Sequence, residues 1–218
     1  MTTAPTVDVD ITNGVDRWVF VGTGRLLDQT DLTTPSIANQ QQTLYAIRDG
    51  TAITPSADAV PLQPRNPGNL VPLTAAQKVS GLSGTPAKGW YDDLPPGQRI
   101  VSPVRAALSL VAYAGTAAQN NPCLTGEPAT LYVRSFATGQ SLIPSSTAGY
   151  DPITGGVAEA TGAVGLDVTV FTDTGTGTAA GPDIRVAVTT AAGTLIFQET
   201  LTQTNLANSR MSWRLFGQ

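Results

Sequence analysis

The chain has 218 residues, of which 41% are hydrophobic and only 13% are charged, and this composition predicts a folded protein rather than a disordered one. Its net charge is −4 and its arginines are scattered, which excludes nucleic-acid binding through a basic surface. The absence of histidine excludes Ser-His-Asp and Cys-His catalysis and every histidine-ligated metal site.

The first half of the chain predicts strands that are joined by turns. Alternating apolar and polar residues at 7–12 lead into Asn13-Gly14, a strong β-hairpin signal, and the return strand follows at 15–24. Further strands are predicted at 42–50 and 89–94. Between them, residues 51–87 are rich in Pro, Gly, Ser and Ala, which predicts a long loop insertion; helical evidence at 74–82 is thin because no apolar stripe with caps is present.

The second half continues the same pattern. A second loop insertion is predicted at 140–165. In the 183–201 segment, Ala-Ala-Gly at 191–193 indicates a hairpin turn between two strands. The predicted strands of this half lie at 99–104, 107–116, 130–139, 166–175, 183–201 and 210–216.

A weak internal repeat indicates an arrangement for these strands. Thr43-Leu44-Tyr45 recurs as Thr130-Leu131-Tyr132, and each occurrence sits in a set of about four strands. Four-stranded antiparallel units in series are the blades of a β-propeller. The expected fold is therefore all-β, a partial β-propeller of about two to three blades with long loop insertions. Its units would be 4–94 and 99–175, with a partial closing unit at 183–216.

A closed propeller needs about four to eight blades, so these units predict a piece of a longer protein. The N-terminus MTTAPTVDVD lacks the basic and apolar regions of a signal peptide, and no apolar run is long enough to span a membrane. The single cysteine, Cys123, has no internal disulfide partner. It is expected to be buried or inert, or to pair with a part of the protein outside this chain.

Two adjacent carboxylates, Asp92 and Asp93, follow Trp90 and Tyr91 in the stretch GWYDDLPPGQR. A catalytic carboxylate pair needs both groups at one site, whereas adjacent residues of a strand point to opposite faces. The following Pro-Pro-Gly is typical of a turn. The acid pair is therefore interpreted as the end of a strand and a corner, and no catalytic, cofactor-binding or metal-binding residue is predicted in the chain.

The oxygen-bearing residues Asp8, Asp10, Asn13 and Asp16 faintly resemble a calcium loop. Thr12 occupies the fifth ligand position, the glycine arrives late and no distal glutamate follows, so a hairpin with a solvated polar face is the favoured interpretation. The segment GTGR at 22–25 lacks the other residues of a phosphate-binding loop and is interpreted as a glycine turn that ends a strand.

Four ordered motifs carry a resemblance to a known family, the PilY/PilC proteins of type IV pili. GWYDDLPPGQRIVSPV resembles that family's GWY-x-DLP-x-GER-VVSPPV signature. The motifs at 17–50, 121–140 and 210–216 are similar to other segments of it. Departures include Asp92, which stands where the family usually has an apolar residue.

The resemblance implies the C-terminal, quinoprotein-like propeller of a pilus tip-associated adhesin and biogenesis factor. In such a protein, Trp90 and Tyr91 would lie on an outer strand against a neighbouring blade, and residues 99–104 would form the next blade's innermost strand. The implied partners are minor pilins or other tip components, the missing blades or N-terminal adhesive region, and a host or abiotic surface. The implied location is the cell surface or outside the cell.

Two alternatives remain open on the sequence. One is an independent secreted β module, either carbohydrate-binding or similar to a phage-tail domain. A glycan site would need exposed aromatic residues, whereas Trp18, Trp90 and Trp213 all lie in apolar strand patterns that predict core positions. The other is a fragment of a quinoprotein-type enzyme, which would need a quinone and calcium on the propeller axis and ligands that this chain does not supply.

Overall fold

The structure, a computed structural model, describes residues 3–10, 16–24, 40–51, 53–55, 63–117, 129–159, 163–172, 182–190 and 193–199. From Ala158 onward, only the backbone of these residues is described. The described residues form fourteen strands and one short helix in three sheets, so the all-β prediction is confirmed. They do not close into a ring of sheets, and none of their helices is long and apolar enough to cross a membrane.

The first sheet has the strand order β1-β2-β3-β5-β4. Its pairs are antiparallel except that β4 runs parallel to β5. The pairing of Asp10 with Asp16 confirms the first predicted hairpin, whose turn at 11–15 lies outside the described residues. The strands are β1 (Thr6–Asp10), β2 (Asp16–Gly22), β3 (Thr43–Thr51), β4 (Val71–Pro72) and β5 (Gly89–Asp93).

The second sheet has the order β10-β11-β9-β8-β6, and β7 also pairs with β8. Its strands are β6 (Gln98–Arg99), β7 (Arg105–Ala107), β8 (Leu110–Ala117), β9 (Ala129–Ser135), β10 (Tyr150–Asp151) and β11 (Gly156–Glu159). The prediction of one strand at 99–104 is wrong, because strand pairing stops after Arg99. Ile100 donates its N–H to the carbonyl of Thr23, the residue that follows β2 (3.1 Å), and Pro103 has no N–H to donate.

The third sheet is a three-stranded antiparallel meander of β12 (Ala163–Thr172), β13 (Pro182–Thr190) and β14 (Gly193–Glu199). The pairing of Thr190 with Gly193 confirms the hairpin predicted around 191–193. Because β12 pairs with β13, it belongs with the third sheet and not with the second unit of 99–175 that the sequence predicted. The predicted strand at 210–216 lies outside the described residues.

Both predicted loop insertions contain regular structure. Segment 140–165 holds β10, β11 and the start of β12, and β11 extends the second sheet by pairing with β9. Gly156 begins β11 beside the ring of Tyr132, where a Cβ atom would lie only 2.6 Å from a ring carbon. A small residue is therefore required there, and this weakens the alternating pattern by which strands are recognised.

Segment 51–87 contains β4 and the helix α1 (Ala75–Ser80). Thr74 caps this helix through a capping box, since Thr74 and Gln77 each accept a hydrogen bond from the other's backbone N–H. The capping box stabilises a helix too short to show an apolar stripe. Leu70 and Leu73, from the same insertion, are buried, and Leu73 belongs to the core cluster between the first two sheets.

The core lies between the first and second sheets. Residues of β8 alternate, with Val111 and Tyr113 in this core and Leu110 and Ala112 in a second cluster on the other face of the sheet. β12 runs beside β7 and β8. The core between the sheets consists of Trp18, Phe20, Leu44, Ala46, Leu73, Trp90, Leu94, Ile100, Val104, Val111, Tyr113, Tyr132 and Phe136.

Candidate functional site

Strand β5 presents different chemistry on its two faces, at the junction between the first two sheets. Trp90 and Asp92 point toward the second sheet, where they contact Phe136 and Arg134. Asp93 points to the opposite face, where it bonds to Thr43 and Arg65. The prediction that the two aspartates do not share a site is confirmed.

Asp92 is only 1% exposed and is surrounded by donors. The Nε atom of Arg134 lies 2.7 Å from one carboxylate oxygen of Asp92, and the hydroxyl of Tyr113 donates to the same oxygen. The Nζ atom of Lys78 lies 2.8 Å from the other oxygen. A buried carboxylate is costly unless it is paired, and here two cations and a hydroxyl pair it.

Arg134 is fully buried. Its guanidinium forms an ion pair and hydrogen bonds with groups from several parts of the chain. Its Nε also lies 2.8 Å from the hydroxyl of Tyr113. One Nη atom donates to the carbonyl of Lys78 (2.8 Å), and the other donates to the carbonyl of Thr154 (2.6 Å). Arg134 therefore joins β5, the helix α1, β8 and the segment before β11.

The protonation equilibria of this cluster favour a structural role. Burial raises the pKa of Tyr113 well above its ordinary value, and the charge of Asp92 raises it further against the opposing effect of Arg134. Burial would lower the pKa of Arg134, but Tyr113 and Asp92 outweigh it and raise that pKa above its ordinary value. Neither group changes its charge near neutral pH, so neither is suited to acid–base catalysis there.

The rest of the junction is held by Trp90 and by the turn that follows β5. The indole N–H of Trp90, fully buried, donates to the carbonyl of Phe136 at 2.7 Å. Gln98 donates its N–H to the carbonyl of Pro95, and Gly97 has φ +84. This is the geometry of a type II turn with Pro96 and Gly97 at its centre, which confirms the predicted corner.

On the outer face of β5, Arg65 forms an ion pair with Asp93. Burial raises the pKa of Asp93, but the hydrogen bonds from Arg65 and Thr43 and the nearby positive charges outweigh it, so the pKa is lowered. The Arg65 guanidinium also lies over the ring of Tyr91, 4.7 Å from its centroid. Tyr91 thus faces Arg65 and Tyr45 on this outer face.

The residues of the calcium-loop pattern are partly described. Asp10 pairs with Asp16 across the hairpin, and Asp16 forms an ion pair with Arg48 at 2.8 Å. Asp8 is half-buried, which raises its pKa, and its carboxylate accepts a hydrogen bond from the N–H of Val9. Asn13 lies outside the described residues. Within the described part of the chain, no three His, Cys, Asp or Glu side chains are arranged to hold a metal ion.

The other residues that the sequence singled out have simpler outcomes. Trp18 and Trp90 are fully buried, as predicted. Gly22 ends β2, and a Cβ atom there would lie 2.5 Å from a side-chain carbon of Ile100, so the glycine serves packing between the sheets. Cys123, Arg25 and Trp213 lie outside the described residues.

Sequence reasoning missed the partners of Asp92. In β9, Leu131 and Val133 face one side of the sheet, which places Arg134 beside Tyr132 on the side of the main core. The available signal was Arg134, a charged residue at an inward position of an apolar strand. Asp92 occupies an equivalent inward position in β5 with the opposite charge. Lys78 carried no such signal, because it belongs to a short helix in a region predicted as a loop.

Comparison with known proteins gives no assignment. No family model matches the chain, and neither a curated protein nor a solved structure matches it.

Proposed function

We propose that this chain is a non-enzymatic β-propeller segment of a PilY/PilC-type protein, which supports pilus biogenesis, twitching motility and adhesion to surfaces or host cells. The observation that carries the proposal is the position of GWYDDLPPGQR. This motif ends the first sheet, turns through Pro96-Gly97 and enters the second sheet at β6. Its inward residues Trp90 and Asp92 bond to the second sheet.

The order of the strands supports the same proposal. The five-stranded and six-stranded sheets each contain four antiparallel strands, β1-β2-β3-β5 and β7-β8-β9-β11, in which every strand pairs with the next member of its set; the short strands β4, β6 and β10 are added to these sets. The repeated Thr-Leu-Tyr falls in β3 of one set and in β9 of the other, the third strand in each case. Sequential four-stranded units are what propeller blades require.

In this proposal the buried ion pairs of Asp92 are a structural contact between adjacent blades and not a reaction centre. The contact fixes the orientation of one sheet relative to the next, so that further blades and tip components can assemble on a rigid body. The protein would act at the cell surface, with minor pilins or other tip components and the remaining blades or adhesive region as its partners.

The alternative of an independent carbohydrate-binding or phage-tail-like module receives less support. Trp18 and Trp90 are fully buried, and their indoles pack within the core between the sheets. Neither ring is therefore exposed as a platform on which a sugar stacks. The quinoprotein-type alternative gains no support from the charged residues of the junction, because Asp92 is already paired with Arg134 and Lys78.

The test is an in-frame deletion of the region that encodes residues 1–218 in the source organism, with complementation. We expect the deletion to reduce the amount of surface pilin recovered by shearing and to abolish twitching zones. An Arg134→Met copy should fail to restore either, whereas a Gly84→Ala copy should restore both, since Gly84 has open space around it. Normal surface pilin and normal twitching in the deletion strain would overturn the proposal.

A further inference from the structure

A groove opens on the outer face of the first sheet, away from the junction with the second sheet. Its walls are the segments 65–72 and 86–88, and Tyr91 of β5 lies at its base. Its volume of about 520 Å³ is within the range typical of ligand sites. Three prolines, Pro67, Pro72 and Pro86, give its walls an apolar and rigid surface.

The base of the groove offers a hydroxyl group, that of Tyr91. Tyr91 is only 9% exposed, but its hydroxyl is not among the buried polar atoms that lack a partner in the described part of the chain, and the residue lines the groove. By contrast, the hydroxyls of Tyr113 and Tyr132 are bonded to Asp92 and Gln98.

One wall of the groove carries the positive charge of Lys88. The Nζ atom of Lys88 lies 3.3 Å from the amide oxygen of Asn69, and it forms no ion pair within the part of the chain that the structure describes. Arg65, at the other end, is already neutralised by Asp93. The groove therefore presents a positive charge on a protein whose net charge is −4, and its lining includes no carboxylate.

We propose that this groove binds a peptide segment of a partner protein in which an acidic residue is flanked by proline or aliphatic residues. The carboxylate would pair with the ammonium of Lys88, and the hydroxyl of Tyr91 would bond to a polar group of the peptide. The apolar flanking residues would pack on Pro67, Pro72 and Pro86. This inference is independent of the assignment to a pilus protein.

Two features favour a peptide held by its side chains over other ligands. The guanidinium of Arg65 covers a face of the Tyr91 ring, so that face is not available for stacking on a sugar. Strand β4 forms the edge of the sheet here, but its Pro72 has no N–H to donate to an added strand. Proline-containing peptides lose little conformational entropy on binding, and they dock into grooves that carry an aromatic ring, which Tyr91 provides here.

The test is a titration of the ¹⁵N-labelled chain with two blocked peptides, acetyl-Pro-Glu-Pro-amide and acetyl-Pro-Gln-Pro-amide. We expect the glutamate peptide to cause saturable shifts of the side-chain amides of Asn66 and Asn69. The glutamine peptide should bind roughly fivefold more weakly, as expected for loss of a partly exposed ion pair.

Three variants make the test specific. Lys88→Gln should weaken binding of the glutamate peptide by roughly fivefold, and Tyr91→Phe should weaken it by a similar factor with an unchanged melting temperature. Arg105→Gln removes an equal charge from an exposed position of β7 and should leave binding unchanged. The proposal is overturned by equal binding of the two peptides, by shifts that Lys88→Gln or Tyr91→Phe leaves unaltered, by weakening in Arg105→Gln, or by no saturable shift up to about 10 mM.

Discussion

The carboxylate of Asp92 lies 2.7 Å from the guanidinium of Arg134, although the two residues belong to different sheets and are almost fully buried. Each charge loses its water when the sheets pack together, and the opposite charge that compensates Arg134 comes from the other sheet, whereas Asp92 is compensated by Arg134 and by Lys78. Such a pair adds little net stability compared with apolar residues, but a single unpaired member is strongly destabilising. The pair therefore specifies how the sheets pack more than it strengthens the packing.

Replacement of Arg134 by methionine tests this relationship. Arg134→Met leaves Asp92 buried with Lys78 and Tyr113 as its remaining partners. It also removes the donors to the carbonyls of Lys78 and Thr154. We expect the free energy of unfolding to fall by about 3–5 kcal/mol, measured by urea denaturation at pH 7.

The double variant Asp92→Leu/Arg134→Met is the matched control, because it removes both buried charges. Its loss of stability should be smaller than the sum of the two single losses by more than about 1 kcal/mol. Additive losses would contradict the conclusion that the two side chains depend on each other.

The indole of Trp90 gives a second prediction, which concerns a neutral contact across the same junction. Trp90→Phe removes the N–H that bonds to the carbonyl of Phe136 and leaves a small cavity in the core. We expect a loss of about 2–4 kcal/mol in thermal or urea unfolding. In contrast, Tyr91→Phe removes a hydroxyl that bonds to no described residue, and an equal loss in that variant would argue against the assigned role of the Trp90 N–H.

Backbone conformation at the start of β5 gives a third prediction. Gly89 has φ +108, and a Cβ atom there would lie 2.0 Å from the carbonyl oxygen of Ala46 in the paired strand. Gly89→Ala should therefore destabilise the protein by at least about 2 kcal/mol, seen as a lower melting temperature. Gly84→Ala, where the surrounding space is open, should leave stability unchanged or slightly raised; a similar loss in both variants would refute the steric explanation.

The ion pair of Arg65 and Asp93 predicts a dependence on pH. The folded-state pKa of Asp93 is lowered from its ordinary value of 3.8, so its contribution to stability is present above that pH and is lost as pH falls through the folded-state pKa. The pair is partly exposed, with 45% of the Arg65 side chain accessible, so we expect its contribution to be below about 1 kcal/mol.

The measurement is the difference in unfolding free energy between the wild type and Arg65→Gln across a pH series. This difference should be constant near neutral pH and should shrink below pH 3.8. Burial raises the pKa of Asp8, so the contribution of Asp8 to stability changes with pH in the opposite direction. That contribution cancels in the difference, because Asp8 is present in both proteins. A difference that is independent of pH would contradict the assignment.

Local patterns in the sequence predicted much of the sheet structure. Alternation and the Asn13-Gly14 signal identified the β1–β2 hairpin, and Pro96-Gly97 identified the corner after β5, because both depend on residues close in the chain. The strand at 99–104 was mispredicted, because the N–H of Ile100 is taken by Thr23, a residue distant in the sequence.

The site shows the same division between local and distant effects. The opposite orientations of Asp92 and Asp93 follow from the two-residue period of a strand, and were predicted. The pairing of Asp92 with Arg134 and Lys78 was not predicted, because it depends on how two sheets and a helix pack together. The helix itself had a readable signal in the capping box of Thr74 and Gln77.

The reach of Arg134 and Phe136 across the junction has a consequence for the order in which the chain can fold during synthesis. The first sheet is complete in sequence at Asp93, yet the guanidinium that pairs with Asp92 and the carbonyl that accepts from Trp90 belong to residues that the ribosome adds some forty positions later. In a nascent chain that ends near residue 100, Asp92 therefore has Lys78 as a partner but lacks Arg134, and the indole N–H of Trp90 lacks the carbonyl of Phe136. Stable protection of the first sheet from proteases should arise only after residue 136 has left the exit tunnel.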